Sequence, residues 1–438
     1  MNHHWIVGVC ALGSGLALAQ TPQSESGFVL RGGTVHTISG PVIENGSVVV
    51  RNGKIVGVGK NLAVPKEFKS IDIQGQHVYP GMIDSASMLG LEKASANQAS
   101  DAGEMGLLNP QLRAVSAVNP SSEQIPISRA SGVTSVIAMP DGVLLAGQMS
   151  LIHLDGSTND AMAVVPTAAI HLRFPAIVTA PIPPHEADDD DDDPAASAAV
   201  ERIPYSQAKQ VYEEKLRALR AFFEDARHYR KTKLAKARGF RPDLRYEALL
   251  PVLEGATPLF VTAVREREIR EAIEFADHEK IKIILADAYE CYKLLPLIKS
   301  RGIPVVLGPT RSLPPDPDDP YDRSFTIPDE LHQAGIKFSI ATFSATRSRD
   351  LPNQAATAVP FGLPPEEAYK AVSLSAAEIF GVSRRLGSID EGKIADLIVT
   401  DGDPLDVRTH VKMVFIDGKP VDLDTRAKQL FEKYKARQ

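Results

Sequence analysis

One cadence recurs through the middle of this chain and limits what it can fold into. A helical run ends at a small residue or glycine, and a short apolar strand follows at once. It occurs in "SRASGVTSVIAMP" (128–140), "FADHEKIKIILADA" (275–288), "IKSRGIPVVLGPT" (298–310) and "LHQAGIKFSIATF" (331–343). Glycine closes a helix readily because the left-handed conformation costs it no Cβ clash, and Gly132, Gly302 and Gly335 stand where such caps belong. Helices alternating with buried strands imply parallel strand–helix units. With roughly eight such units, a (β/α)8 TIM barrel is expected rather than a doubly wound sheet. The absence of a Gly-x-Gly-x-x-Gly turn after the first strand argues against a dinucleotide fold in the same direction.

The two ends of the chain read differently. "ENGS" (44–47) and "RNGK" (51–54) carry Asn-Gly, which tolerates the positive φ of tight turns, and "SVVV" and "KIVGVG" flank the second with β-branched residues. Near the other end, "ADLIVTDG" and "VKMVFIDGKPV" read as strands with an Asp417-Gly418 turn. These segments, 28–78 and 383–424, are expected to share one small β-sandwich domain beside a barrel spanning 79–382. With 438 residues, 43% hydrophobic and 24% charged, the chain is long and apolar enough for both.

An insertion, 175–250, interrupts the barrel. It contains six consecutive aspartates, Asp188 to Asp193, which repel one another and read as a solvated loop. A calcium site is disfavoured because the run lacks the glycine-spaced pattern of calcium loops. The long charged helix that follows would set Val211, Leu216, Leu219 and Phe223 toward the barrel.

At the start, an apolar run from Trp5 to Ala19 ends in Ala17-Leu18-Ala19, the pattern of a secretory signal peptide covering 1–19. The expected location is therefore exported, periplasmic or secreted. No other run is apolar enough to span a bilayer. Of the two cysteines, removal of the leader leaves Cys291 alone, with no internal disulfide and no cysteine-rich zinc site. A net charge of −7 argues against a nucleic-acid partner.

Five segments carry a resemblance to a known family. "LGSIDEGKIADLIVTDGDPLD" (386–406), "LPPEEAYKAVSLSAAEIFGV" before it, "FVLRGGTVHTISG" with "NGKIVGVG" near the start, and "VYPGMID" (78–84) are together similar to the amidohydrolase superfamily, most of all its exported imidazolonepropionase-like branch. The resemblance implies a barrel holding zinc or another divalent metal, used to hydrolyse carbon–nitrogen bonds other than peptide bonds. A metal does this by lowering the pKa of bound water and polarising the carbonyl. In that family the ligands come from strand ends: His-x-His after strand 1, a carboxylated Lys or a Glu on strand 4, single His residues on strands 5 and 6, and an Asp on strand 8.

Matched position by position, this chain departs from that pattern. Ser85 and Ser87 stand for the two histidines, in "IDSASML". Strand 4, "VVPTAAIHLRFP", offers only His171. Strand 5, "PLFVTAVRERE", puts Thr262 or Val264 at the ligand position. On strand 6 Asp287 stands for the histidine, and Glu290 of the following turn is kept. Strand 8 carries Thr342, Phe343 and Ser344 where the Asp belongs. Serine hydroxyls are neutral and weak zinc ligands.

Other groups could build a different site. His153 and His171 lie on expected barrel strands, where a lone histidine is more often packed than ligating. Asp84 and Asp287 could meet at the barrel mouth in an all-oxygen Mg²⁺ or Ca²⁺ shell, against a plainer role for Asp84 as a strand-end cap. Ser85 or Ser87 as a nucleophile lacks a Gly-x-Ser-x-Gly elbow. His36, His77, His278, His332 and His410 read as structural. The expectation is thus a family relative with no metal, catalytically silent, binding a small molecule, an amidohydrolase paralogue or a second copy. The alternative is an active amidohydrolase on a small cyclic amide or peptide-like substrate, with an unusual or relocated site.

Overall fold

The computed structural model describes residues 27–91, 106–179, 202–316, 318–435 and 437. The expected leader, 1–19, and the aspartate run, Asp188–Asp193, lie outside the described residues. Five strands come first: β1 (Gly27–Val35), β2 (Ile43–Arg51), β3 (Lys54–Gly59), β4 (Lys69–Asp72) and β5 (His77–Pro80). Eight follow in the middle: β6 (Met82–Ser87), β7 (Val133–Ala138), β8 (Leu145–His153), β9 (Ala163–Arg173), β10 (Leu259–Thr262), β11 (Ile283–Ala286), β12 (Val305–Leu307) and β13 (Phe338–Ile340). Three close the chain: β14 (Leu397–Thr400), β15 (Val411–Ile416) and β16 (Lys419–Pro420).

The first and last groups form one sheet in the order β16-β15-β14-β5-β1-β2-β3, with β4 also pairing β1. Three strand spacings, about 14 Å on a flat sheet, separate β15 from β1. Yet the rings of Phe28 and Phe415 stack with centroids 4.7 Å apart. The sheet therefore folds over on itself, and Leu30, Val48, Val50, Ile55, Leu397 and Val399 fill the fold. The Asn52-Gly53 turn joins β2 to β3 with both residues at positive φ, as its sequence predicts. Asn45-Gly46 does not make a turn. It lies within β2, with Asn45 at φ +52°, where the register with β1 slips. A bulge uses the same left-handed freedom as a turn, so the dipeptide alone does not separate the two.

The middle strands form a nearly closed eight-stranded barrel in chain order, β6 to β13. Phe343 N–H donates to the Ala86 carbonyl at 2.8 Å and ties the ends of β13 and β6 together at the top. Lower in the same seam Ile83 N–H donates to Val372 O at 2.8 Å. The expected barrel is present with one departure: β8 runs antiparallel to both β7 and β9. Its cause is local. Only the segment 139–144, containing Asp141-Gly142, joins β7 to β8, and a parallel crossover needs about a dozen residues or more.

Inside the barrel the fill is apolar. Phe260 on β10 lies 6.2 Å from Phe343 above and 6.1 Å from Phe380 below, with Ile137, Met149, Leu151, Ile284 and Val306 around them. Outside, the helix Tyr205–Leu234 packs Leu219, Phe222, Phe223 and Ala226 against the barrel helices, and Phe223 meets Phe275 edge-on. Val211, expected on this buried face, is exposed instead, and Tyr212 is buried in its place, hydrogen-bonded to Glu271 at 2.6 Å.

Candidate functional site

The carboxyl ends of the parallel strands are where a barrel gathers its chemistry. At the end of β6, Asp84 is wholly buried and its carboxylate is fully engaged. Oδ1 accepts from Thr342 N–H at 3.0 Å and lies 3.4 Å from Ala86 N. Oδ2 accepts from the Thr342 hydroxyl at 2.5 Å and the Ser348 hydroxyl at 2.9 Å. Burial pushes the Asp84 carboxyl up to about 6, against the opposing pull of these hydrogen bonds. Asp84 thus reaches Ala86 N–H locally, as a strand-end cap would, and also bridges β6 to the segment leaving β13.

The two serines at the expected ligand positions differ. Ser87 Oγ lies 2.7 Å from Ser348 Oγ and 2.9 Å from the Ser344 carbonyl, and it accepts from Leu89 N–H at 3.0 Å. Ser87 thus extends the same network. Ser85 is buried and its hydroxyl has no protein partner. Phe343, at the strand-8 position, takes φ +53° and is part of the apolar fill.

His171 and Thr262 come together across β9 and β10. His171 Nδ1 donates to Pro140 O at 2.8 Å, leaving Nε2 to accept the Thr262 hydroxyl at 3.0 Å. Burial lowers the imidazole to about 4, so it is neutral near pH 7. Both ring nitrogens are committed, and the ring packs edge-on against Phe260.

Beyond β11, Asp287 takes φ +50° with its carboxylate against Gly308, where an added Cβ would collide with Oδ1. The strand ends at Ala286, and a 3₁₀ turn, Tyr289–Leu294, carries Glu290. Glu290 accepts from Glu266 N–H at 2.6 Å and from Lys293 Nζ at 2.7 Å, with Arg265 3.8 Å away. It pins the first turn of the helix Glu266–Glu279, a favourable place for a carboxylate. Arg265 in turn makes a two-pronged ion pair with Asp316.

His153, expected at the mouth, sits at the opposite end. The reversal of β8 carries its last residue to the barrel floor, where it pairs with Ser135 near the start of β7. There His153 Nε2 lies 3.0 Å from Asp396 Oδ2. Asp396 also accepts Asp417 N–H at 2.8 Å through Oδ1, and its carbonyl accepts Gly81 N–H at 2.9 Å. Burial by itself would lower the His153 pKa, but the Asp396 carboxylate outweighs it and holds the value above the ordinary one. This pair fastens the barrel floor to the folded sheet.

The divalent metal implied by the resemblance would need several lone-pair donors aimed at one point. Among the described residues no group of three or more His, Cys, Asp or Glu side chains could hold one. Asp84 faces hydroxyl and amide donors, His171 has no ring nitrogen to spare, Glu290 is ion-paired, and Ser85 and Ser87 are neutral. As placed, this donor set does not suit such an ion. Ser348, which closes the Asp84 network, lies outside the positions matched by motif; only its spacing of six residues after Thr342 could have drawn attention to it.

Comparison with known proteins agrees with this architecture. The amidohydrolase family model matches residues 272–421. No curated protein matches the sequence. Among solved structures, an amidohydrolase from Thermotoga maritima MSB8 is similar with a TM-score of 0.77 and 25% identity, over 90% of this chain and 99% of that one. A prolidase complexed with N-methylphosphonate-L-proline shares the fold at a TM-score of 0.55 and 17% identity, over 91% of this chain and 100% of its own. Molinate hydrolase does so at 0.54 and 15%, over 91% and 95%. Over 272–421 the chain is thus similar to the amidohydrolase family, and its barrel with terminal sheet is the fold these hydrolases share.

Proposed function

We propose that this chain keeps the amidohydrolase scaffold but works by binding rather than by metal-dependent hydrolysis. The observation that carries the reading is the state of Asp84. Its two oxygens are held by Thr342, Ser348 and Ala86 in a buried network that Ser87 extends. A carboxylate so committed has no lone pair aimed at a substrate or an ion, and a barrel's stability resides in its core, which does not depend on such a site. On this reading the chain is exported, and its partner is a small molecule, an amidohydrolase paralogue or a second copy of itself.

The test is metal analysis of protein purified after growth with added zinc, manganese and iron, paired with turnover on cyclic amides and dipeptides. Substoichiometric metal and no turnover are expected. Stoichiometric metal, lost on chelation together with a measurable hydrolysis, would overturn the reading in favour of an active hydrolase.

A further inference from the structure

The helix Arg426–Lys435 buries none of its side chains. Ala427, Leu430, Phe431 and Tyr434 recur at the spacing that makes one helical stripe. Such a stripe ordinarily lies on a protein's own core. Here Phe431 is 61% exposed, Tyr434 51% and Leu430 40%. The helix is tethered near its start, by the Arg426–Glu123 ion pair and by Lys428 Nζ donating to Leu423 O at 2.9 Å.

Its charge is the second observation. The chain as a whole carries −7, yet Arg426, Lys428, Lys433, Lys435 and Arg437 stand here against Glu432 alone. Lys433, Lys435 and Arg437 lie over the exposed rings rather than against carboxylates: Arg437 is 4.8 Å from the Tyr434 centroid, and Lys435 Nζ is 5.5 Å from that of Phe431. Pairing two copies through this stripe would bring these cations face to face. An anionic partner that is both charged and apolar accepts stripe and cations together.

We propose that this helix docks the protein on an anionic phospholipid surface, with Leu430, Phe431 and Tyr434 at the acyl boundary and Lys433, Lys435 and Arg437 among the headgroups. Helices of this make-up lie in the plane of the membrane interface, and each juxtamembrane cation strengthens binding to anionic lipid. Among the described residues no helix is long and apolar enough to cross a membrane, so this contact is peripheral.

Flotation of the full chain with vesicles tests it. Vesicles of phosphatidylglycerol mixed equally with phosphatidylcholine should bind the protein, and pure phosphatidylcholine should bind it far less. The pair Lys433→Glu and Lys435→Glu should weaken binding about tenfold or more, as should high salt. The pair Phe431→Ser and Tyr434→Ser should weaken it at low salt too. All four positions are exposed, so the circular dichroism melt should be unchanged and serves as the folding control. Equal binding to neutral vesicles, or no binding to either, overturns the proposal. A dimer in sedimentation that the serine pair abolishes, without vesicle binding, overturns it in favour of self-association.

Discussion

Thr342 gives both its backbone N–H and its hydroxyl to one buried carboxylate, that of Asp84, at 3.0 and 2.5 Å. The two residues are 258 positions apart, on the first and last strands' ends, so the contact helps to close the barrel. Removing only the hydroxyl tests it. Thr342→Val keeps the shape and the backbone bond but leaves Asp84 Oδ2 with one donor fewer. A hydrogen bond to a charged group is worth about 2 kcal/mol, and that loss should appear in urea unfolding with an unchanged slope.

Asp84 and His171 predict opposite responses to pH. The Asp84 carboxyl is raised from 3.8 to about 6 in the fold, chiefly by burial. Its favourable contribution is complete below about 3.8 and is lost as pH rises through about 6. The His171 imidazole is lowered from 6.5 to about 4, again by burial. Its contribution is complete above 6.5 and is lost as pH falls toward 4. Melting temperatures of wild type, Asp84→Asn and His171→Gln across this window should show wild type losing ground to the first variant on the alkaline side and to the second on the acid side.

The floor contact between His153 and Asp396 joins the barrel to the terminal sheet. Asp396→Ala strands a buried imidazole and removes the acceptor of Asp417 N–H. Breaking a buried pair from one side costs on the order of 3 kcal/mol. Limited proteolysis should then cut the terminal sheet before the barrel, whereas an exposed pair such as Arg408–Asp406 should give no change on mutation.

Placing histidines at the expected ligand positions should not recreate a metal centre. Ser85 and Ser87 are fully buried, so Ser85→His with Ser87→His overfills the space at a cost of about 1–3 kcal/mol for each site. The folded fraction of the double variant should still purify without stoichiometric zinc, because both ring nitrogens of His171 are committed and the other matched positions carry Thr262 and Phe343, which are not zinc ligands. Stoichiometric zinc there would mean that two ligands alone were missing.

Gly308 gives the Asp287 carboxylate its room. A Cβ there meets Asp287 Oδ1, so Gly308→Ala should turn the carboxylate aside and lower stability by about 1 kcal/mol, read as a shifted midpoint in thermal unfolding.

Much of this molecule is legible along the chain. Apolar runs behind Gly302 and Gly335 read as strands because both glycines do cap helices in the left-handed conformation. The Asn52-Gly53 turn and the shared terminal sheet follow from local turn chemistry and alternation, which a short window contains. The closing segment around Asp396 carries the family resemblance; of the positions matched with it, Ser85, Ser87 and Thr262 lie on β6 and β10, while Asp287 and Phe343 lie just past the ends of β11 and β13. What the chain alone could not decide was direction and partnership. Asp141-Gly142 reverses β8 and sends His153 to the floor, an outcome set by how six residues close between two strands. Likewise Asp84 meets Thr342 and Ser348 only once the barrel closes, because hydrogen bonds between residues about 260 apart depend on the path of every strand between them.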